Sequence, residues 1–428
     1  MSARNRELFG LIPAALLVTA GFAGVFIQRQ NVLSNVSLTY GAIFLGLCLV
    51  AHICIRMTLP NADPYLFPLV ALLASFGIVM VYRLDSTLAR QQAQWFVVGL
   101  ILFVATIVAF RDYRKLEQYR YVIVAVSLLL LILPRLPGIG AQVNGAYLEI
   151  RVPGGLSFQP TEFSKIGLVI FLASYLRDTR QAMVLGARRI LGVTLPPLKH
   201  FGPVLVIWGL AMVALVLLSD IGSSVMFYGA LLSMLYVATG RLSFVVIGVL
   251  AFVLGAWFLG THISHVHARF EGWQHTLNPQ LYRKGVSYQV ANGIFAQAAG
   301  GLFGQGFGQS IPSLIPFADT DMIYAVITNE LGLFGATAIL LAYLLFVFRG
   351  FKAATMSRDS FSTLLAAGLS AVFALQVFVI VGGVTRVIPL TGVTLPFISY
   401  GGASIVANFV LLALLLLVSD RARRPVAR

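Results

Sequence analysis

Phe361 to Gly383 reads FSTLLAAGLSAVFALQVFVIVGG, a stretch without a single Asp, Glu, Lys or Arg. Wound as an α-helix it rises about 1.5 Å per residue, enough to cross the roughly 30 Å hydrocarbon core of a bilayer. Working outward, comparable apolar runs lie at 322–348 and 394–418 and, before them, at 8–28, 38–55, 64–82, 92–110, 119–133, 161–176, 203–219, 221–239 and 243–263. Of the 428 residues 59% are hydrophobic and 11% charged; soluble domains carry about 25% charged residues. This composition excludes a soluble globular enzyme and predicts an all-α polytopic membrane protein of about 12 transmembrane helices.

An even number of spans puts both termini on one face. Lys and Arg are about twice as frequent in the segments on that face as on the other, with Lys165 alone inside a span, so the positive-inside rule makes both termini cytoplasmic. That distribution accounts for the net charge of +15 and leaves no concentrated basic domain for a nucleic acid. The first run, Leu8 to Ile27, is long and ends at Gln28 and Arg29 without a small-residue cleavage site, so it reads as a retained span. Cys48 and Cys54 share one apolar run at helical spacing and read as packing residues.

Two outer segments are long, 134–160 and 264–321. The second holds Phe270, Trp273, Tyr282, Tyr288, Phe295 and Phe303, too many apolar groups for a disordered tail. It is expected to fold back onto the membrane, with a short amphipathic helix around 287–299.

Carboxylates are scarce. Glu7, Asp63, Asp112, Glu117, Asp178, Asp359 and Asp420 sit among basic residues on the termini face and read as loop counter-charges. Asp85, Glu149, Glu162, Asp220, Glu271, Asp319, Asp321 and Glu330 lie at or near the outer face, and an acid or base for surface chemistry must come from them.

Glu162 and Lys165, three apart at the start of a span, share a helix face and can pair where water is scarce, which points to function. The competing reading is a helix start behind Pro160, with Thr161 or Glu162 capping free N–H groups. Asp220, followed by Ile221, Gly222 and Ser223, reads first as a cap. Asp319 and Asp321 flank Thr320 where the outer segment ends, and Glu330 follows about two and a half turns beyond Asp321. Asp321 either caps that helix or acts as a general base, its pKa raised by the apolar neighbours Ile315, Pro316, Phe317, Met322 and Ile323. The glycines of GGLFGQGFG (300–308) lack the preceding strand and the Gly-Lys-Ser/Thr of a phosphate loop, leaving tight turns near a headgroup. His262, His265 and His267 cluster without the spacing of a zinc signature.

Three stretches together resemble one family: Phe158-Gln159-Pro160-Thr161-Glu162-Phe163-Ser164-Lys165; Thr320-Asp321-Met322-Ile323-Tyr324 running on to Glu330-Leu331-Gly332; and Leu395-Pro396-Phe397-Ile398-Ser399-Tyr400-Gly401-Gly402. Their order and spacing are similar to those of the RodA/FtsW proteins of the shape, elongation, division and sporulation (SEDS) family. The resemblance implies a ten-helix core over residues 64–428, with residues 1–63 an added helix pair of the kind seen in actinobacterial members. It implies a peptidoglycan glycosyltransferase that polymerises lipid II outside the bacterial cytoplasmic membrane, in elongation or division, with a class B penicillin-binding protein as partner. The family's essential Asp falls on Asp321; Glu162, Lys165, Asp319, Thr320, Glu330, Ser399, Gly401 and Gly402 fall on its other motif positions and are expected to serve substrate binding. Phe317, Asp319 and Asn329 stand where the family usually has Glu, His and Glu.

Joining sugars requires a base for the acceptor hydroxyl and positive charge for the departing pyrophosphate. Asp321 is the expected base. A divalent cation, Mg2+ or Mn2+, or the loop residues Arg283 and Lys284 would neutralise the pyrophosphate, with the undecaprenyl tails in apolar grooves between spans. Rival readings are a flippase or transporter for the same lipid-linked precursor, suited by the Glu162–Lys165 pair but lacking an inverted repeat, and a noncatalytic scaffold for the penicillin-binding protein.

Overall fold

Helices arise from every apolar run in the computed structural model, which describes residues 2–30, 35–136, 138–143, 146–152, 156–185, 188–190, 193–195 and 198–425. α1 (Ala3–Gly10) and α2 (Ile12–Gln30) make the first span, followed by α3 (Asn35–Thr58), α4 (Leu66–Leu84) and α5 (Ser86–Ala109). Between α6 (Arg120–Ile132) and α7 (Pro160–Leu185) lies a small antiparallel sheet of β1 (Gly140–Val143), β2 (Ala146–Val152) and β3 (Leu156–Phe158). A hairpin of β4 (Arg188–Ile190) and β5 (Val193–Leu195) leads to α8 (Leu198–Leu218), α9 (Ile221–Thr239) and α10 (Leu242–His262). The long outer segment forms α11 (Ser264–Gln274), α12 (Pro279–Arg283) and α13 (Tyr288–Gly300), before α14 (Ile323–Met356), α15 (Ser360–Val384) and α16 (Gly402–Arg423).

Among the described residues ten helices are long and apolar enough to cross a membrane, and the chain is a multi-pass membrane protein. The other two runs fall short of that standard: α6 has 13 residues, and α7 carries Glu162, Lys165, Arg177, Asp178 and Arg180. The outer segment holds the expected helix, α13, but also α11 and α12; the strands too were not foreseen. The run 394–418 is helical only from Gly402. Pro396 brings no N–H to a helix, and Phe397 sits at a left-handed φ of 64°, so 394–401 stays an ordered loop.

α15 and α16 are enclosed by their neighbours, with α14, α9 and α7 around the first and α5 and α14 against the second. α10 instead exposes Leu250, Leu254 and Trp257 along its outer side, a surface that lipid tails match and water does not.

Three of the termini-face carboxylates meet basic residues as expected but are not open-loop counter-charges, because Glu7, Asp63 and Asp420 are fully buried. Glu7 meets Arg4 and His52 Nδ1, and Arg4 also donates to the Ala62 carbonyl. Asp63 pairs with Arg349 and Arg423, while Asp420 accepts the Asn61 N–H at 2.8 Å and pairs with Arg424. This network fastens residues 1–63 to the ends of α14 and α16. A buried charge without such partners would cost several kcal/mol.

Candidate active site

The segment ahead of α14 turns sharply at Phe317, whose φ is 56° and whose carbonyl accepts the N–H groups of Thr320 (3.2 Å) and Met322 (3.0 Å). The turn presents Asp319, Thr320 and Asp321, and the 395–400 loop clamps it from the side. Tyr400 N–H donates to the Asp319 carbonyl at 2.8 Å. The Ser399 hydroxyl donates to the Thr320 carbonyl at 2.7 Å and accepts the Leu395 N–H at 2.9 Å. Among the described residues the non-glycine positions with positive φ are Ser219, Phe317, Arg386 and Phe397, all in segments that build this site. Such backbone costs about 1–3 kcal/mol per residue and persists only where surrounding contacts enforce it.

Asp321 does not cap α14, whose cap position, Met322, has no side-chain bond to the helix. Burial raises the Asp321 pKa, while the Thr320 hydroxyl, the Gln289 amide and the positive charge of Arg269 oppose the shift. Gln289 Nε2 itself is buried without a well-aligned acceptor. Gly392, at φ 76°, passes so close that a Cβ there would stand 3.5 Å from Asp321 Oδ2.

Arg269, on α11, donates to the Leu390 carbonyl at 3.0 Å. Burial lowers its pKa, and the charges of Asp220 and Asp321 act against that. Asp220 caps α9 as expected, accepting Ser223 N–H at 2.9 Å and Ser223 Oγ at 2.7 Å. Its pKa is raised by burial and further by Glu162, and Arg269 counteracts. Glu162 in turn takes Lys165 Nζ at 2.5 Å, and the ammonium also donates to Gln376 Oε1 (2.7 Å) and Asn408 Oδ1 (3.4 Å). Beyond the Lys165–Glu162 ion pair, Asp220, Arg269 and Asp321 act on one another through charge alone, with no direct ion pair among the described residues. All three Lys165 donors are engaged, which suits a buried strut better than a transport relay.

Other expected site residues lie elsewhere. Glu330 is buried and saturated by Arg83 Nε at 2.9 Å, Gly308 N–H at 2.9 Å and Ser310 Oγ at 2.5 Å. It anchors the glycine-rich segment, which docks onto a kink of α14 at Gly332 (φ 66°) through Gln305 N–H to Asn329 O and Gly306 N–H to Glu330 O. Gly402 gives way to Trp95, since a Cβ there would lie 2.3 Å from the indole, and Gly401 precedes α16 beside Thr394. Arg283 and Lys284 are exposed at the end of α12 and make no ion pair among the described residues. Thr161 caps nothing; its hydroxyl is buried without a partner. His262 and His267 bond backbone carbonyls, and among the described residues no three His, Cys, Asp or Glu converge to hold a metal.

A family model described as a cell cycle protein, covering FtsW, RodA and SpoVE, matches residues 64–424. The chain belongs to this family. Peptidoglycan glycosyltransferase RodA of Mycobacterium tuberculosis is 40% identical to it, across 99% of this chain and 92% of its own length. Stage V sporulation protein E of Bacillus subtilis is 30% identical, across 85% of this chain and 98% of its own. Among solved structures, the rod shape determining protein RodA of Thermus thermophilus covers 85% of this chain and 98% of its own, with a TM-score of 0.58 at 25% identity. A chain from a peptidoglycan synthase complex that coordinates polymerisation and crosslinking covers 85% of this chain and 98% of its own, with a TM-score of 0.68 at 26% identity.

In this family member the group that sequence reasoning missed is Arg269, counted only as one outer cation among several. One signal was available: positive charge is depleted in outer segments, so an Arg between the apolar Val266 and Phe270 invites a search for a buried partner.

Proposed function

We propose that the chain polymerises lipid II, an undecaprenyl-pyrophosphate disaccharide peptide, into glycan strands at the outer face of the bacterial cytoplasmic membrane, with Asp321 as base. The chain is a peptidoglycan glycosyltransferase, the activity named for the mycobacterial relatives that match 99% of its length. Both termini lie on the strongly basic face, which supports a cytoplasmic placement for them and an outward-facing Asp321.

The step is a displacement at the donor sugar. The acceptor hydroxyl loses its proton to Asp321, its oxygen bonds to the donor sugar's anomeric carbon, and that carbon's bond to the pyrophosphate breaks, so undecaprenyl pyrophosphate departs with the bonding electron pair and one more negative charge than it carried in the donor. A carboxylate with a raised pKa is a better proton acceptor than an exposed Asp. Arg269, a half-buried cation whose charge acts on Asp321, is the group we assign to the leaving pyrophosphate, in preference to the exposed Arg283 and Lys284. Glu162 and Lys165 act through Gln376, whose Nε2 donates to the Thr394 carbonyl at 3.1 Å, as supports of the loop that carries Ser399. Mg2+ or Mn2+ belongs to the proposal as an ion that Asp319, beside the base, would help to hold together with substrate oxygens, the mode that suits a site without a protein cage. It would supply charge neutralisation.

The observation that carries the reading is the turn bearing Asp321, clamped through the Asp319 and Thr320 carbonyls by the 395–400 loop. A class B penicillin-binding protein is the proposed partner, in elongation or division. The test is glycan-chain formation from labelled lipid II by purified protein with that partner. Polymer from wild type and none from folded Asp321→Ala is expected; equal polymer from both would overturn the assignment.

A further inference from the structure

A cleft of about 390 Å3 opens on the termini face, between the start of α1, the α3–α4 turn and the ends of α14 and α16. Arg6, Arg349, Lys352 and Arg423 line it. Among the described residues the one carboxylate paired with any of these four is Asp63, buried beneath Arg349 and Arg423. Four cations therefore face one anion. Arg6 and Lys352 are exposed at the rim with no ion pair among the described residues. Arg349 and Arg423 share the single carboxylate of Asp63, which leaves their second positive charge without a counter-ion among the described residues. The remaining wall is apolar, from Pro64, Met356 and the ring of Tyr65, over which the Arg349 guanidinium sits at 4.7 Å. The neighbouring cleft at Arg114, Arg358, Arg421 and Arg424 differs, because its cations already meet Glu117, the Arg424 carbonyl, Asp112 and Asp420.

We propose that the first cleft binds the phosphate headgroup of an anionic phospholipid from the leaflet on the termini face. The surplus positive charge, exposed at Arg6 and Lys352, takes the phosphate, and the apolar wall takes the glycerol end of the acyl chains; a soluble anion would leave that wall unused. The ligand would bridge Arg6 of the first helix to Arg349, Lys352 and Arg423, joining residues 1–63 to the rest of the chain.

The test uses the full-length protein in a zwitterionic detergent, with phosphatidylglycerol, phosphatidylcholine or inorganic phosphate added separately, read by native mass spectrometry and thermal midpoint. The cleft variant is Arg6→Ala with Lys352→Ala, neither of which belongs to the buried Asp63 network. Arg111→Ala with Lys115→Ala removes the same charge from exposed positions outside the cleft on the same face. Expected is retention of phosphatidylglycerol over phosphatidylcholine by wild type and by the control variant, and a loss of affinity of about 30-fold in the cleft variant. Equal loss in the two variants would assign the effect to diffuse surface charge and overturn the site. Equal retention of phosphatidylcholine would overturn it as well, as would stabilisation by inorganic phosphate matching that by lipid.

Discussion

The hydroxyl of Ser399 donates to the carbonyl of Thr320 at 2.7 Å, so the residue before Asp321 is held by a loop that enters the site 79 positions later. Because the same oxygen accepts the Leu395 N–H, Ser399→Ala strands both a buried donor and a half-buried acceptor. The expected cost is about 1–3 kcal/mol. The variant should lower the thermal midpoint and slow polymerisation by about tenfold or more, since misplacing a base by a fraction of an ångström acts on the barrier. Tyr400→Phe removes a hydroxyl bond to Gln91 but keeps the Tyr400 N–H on the Asp319 carbonyl, so its polymerisation rate should fall less. A larger loss in Tyr400→Phe would contradict the clamp.

The pH dependence follows from Asp321. Burial raises its pKa, and only the ionised carboxylate accepts a proton, so polymerisation should be weak at acid pH and rise as pH passes through the raised value. Arg269 holds that value down. Arg269→Gln should therefore move the acid limb of the rate profile to higher pH, while Arg269→Lys should move it less. An acid limb in the same place for Arg269→Gln and wild type would show that the two groups do not interact.

Lys165 is 1% exposed and Glu162 5%, each the other's ionic partner. Lys165→Met leaves a buried carboxylate uncompensated, a loss of about 3–5 kcal/mol. Adding Glu162→Gln removes that charge, so the double variant should be more stable than Lys165→Met alone. Chemical unfolding in detergent of wild type, both single variants and the double variant measures the coupling; additive losses would mean that the pair is not a unit.

What could be read ahead of the structure was local or periodic. A bilayer demands uninterrupted apolar helices, so run lengths announced the spans, and i to i+3 spacing announced Glu162 with Lys165. Asp220 was legible as a cap because its partner, Ser223, is three residues on. Arg83 pairs with Glu330, and the charge of Arg269 acts on Asp321, across loops that no periodicity links, and these relations decide which carboxylate stays available and which becomes structural. Glu7 and Asp63 look in sequence like any charge beside an Arg; only the packing of α1 on α3 and α4, and of the α3–α4 turn on the ends of α14 and α16, buries them.

Gly304 tests whether the glycine-rich segment is a structural dock. Its φ of 82° costs an L-residue about 1 kcal/mol, and a Cβ would also stand 2.1 Å from the Glu330 carbonyl oxygen, a backbone atom that cannot turn aside. Gly304→Ala should therefore push the segment off the α14 kink, breaking the Gln305 and Gly306 bonds and drawing Gly308 and Ser310 away from Glu330. Asp321 follows soon after Ser310 in the chain, so the displacement should reach the base. Gly240 is the control: it ends α9 with φ 66° and ψ 10°, and nothing stands within 4 Å of its would-be Cβ. Gly240→Ala should cost about 1 kcal/mol with polymerisation near wild type, whereas Gly304→Ala should lose most polymerisation and a larger part of its thermal stability. Matching losses in the two variants, measured by midpoint and by glycan product, would reduce the role of Gly304 to its backbone angle and remove the dock.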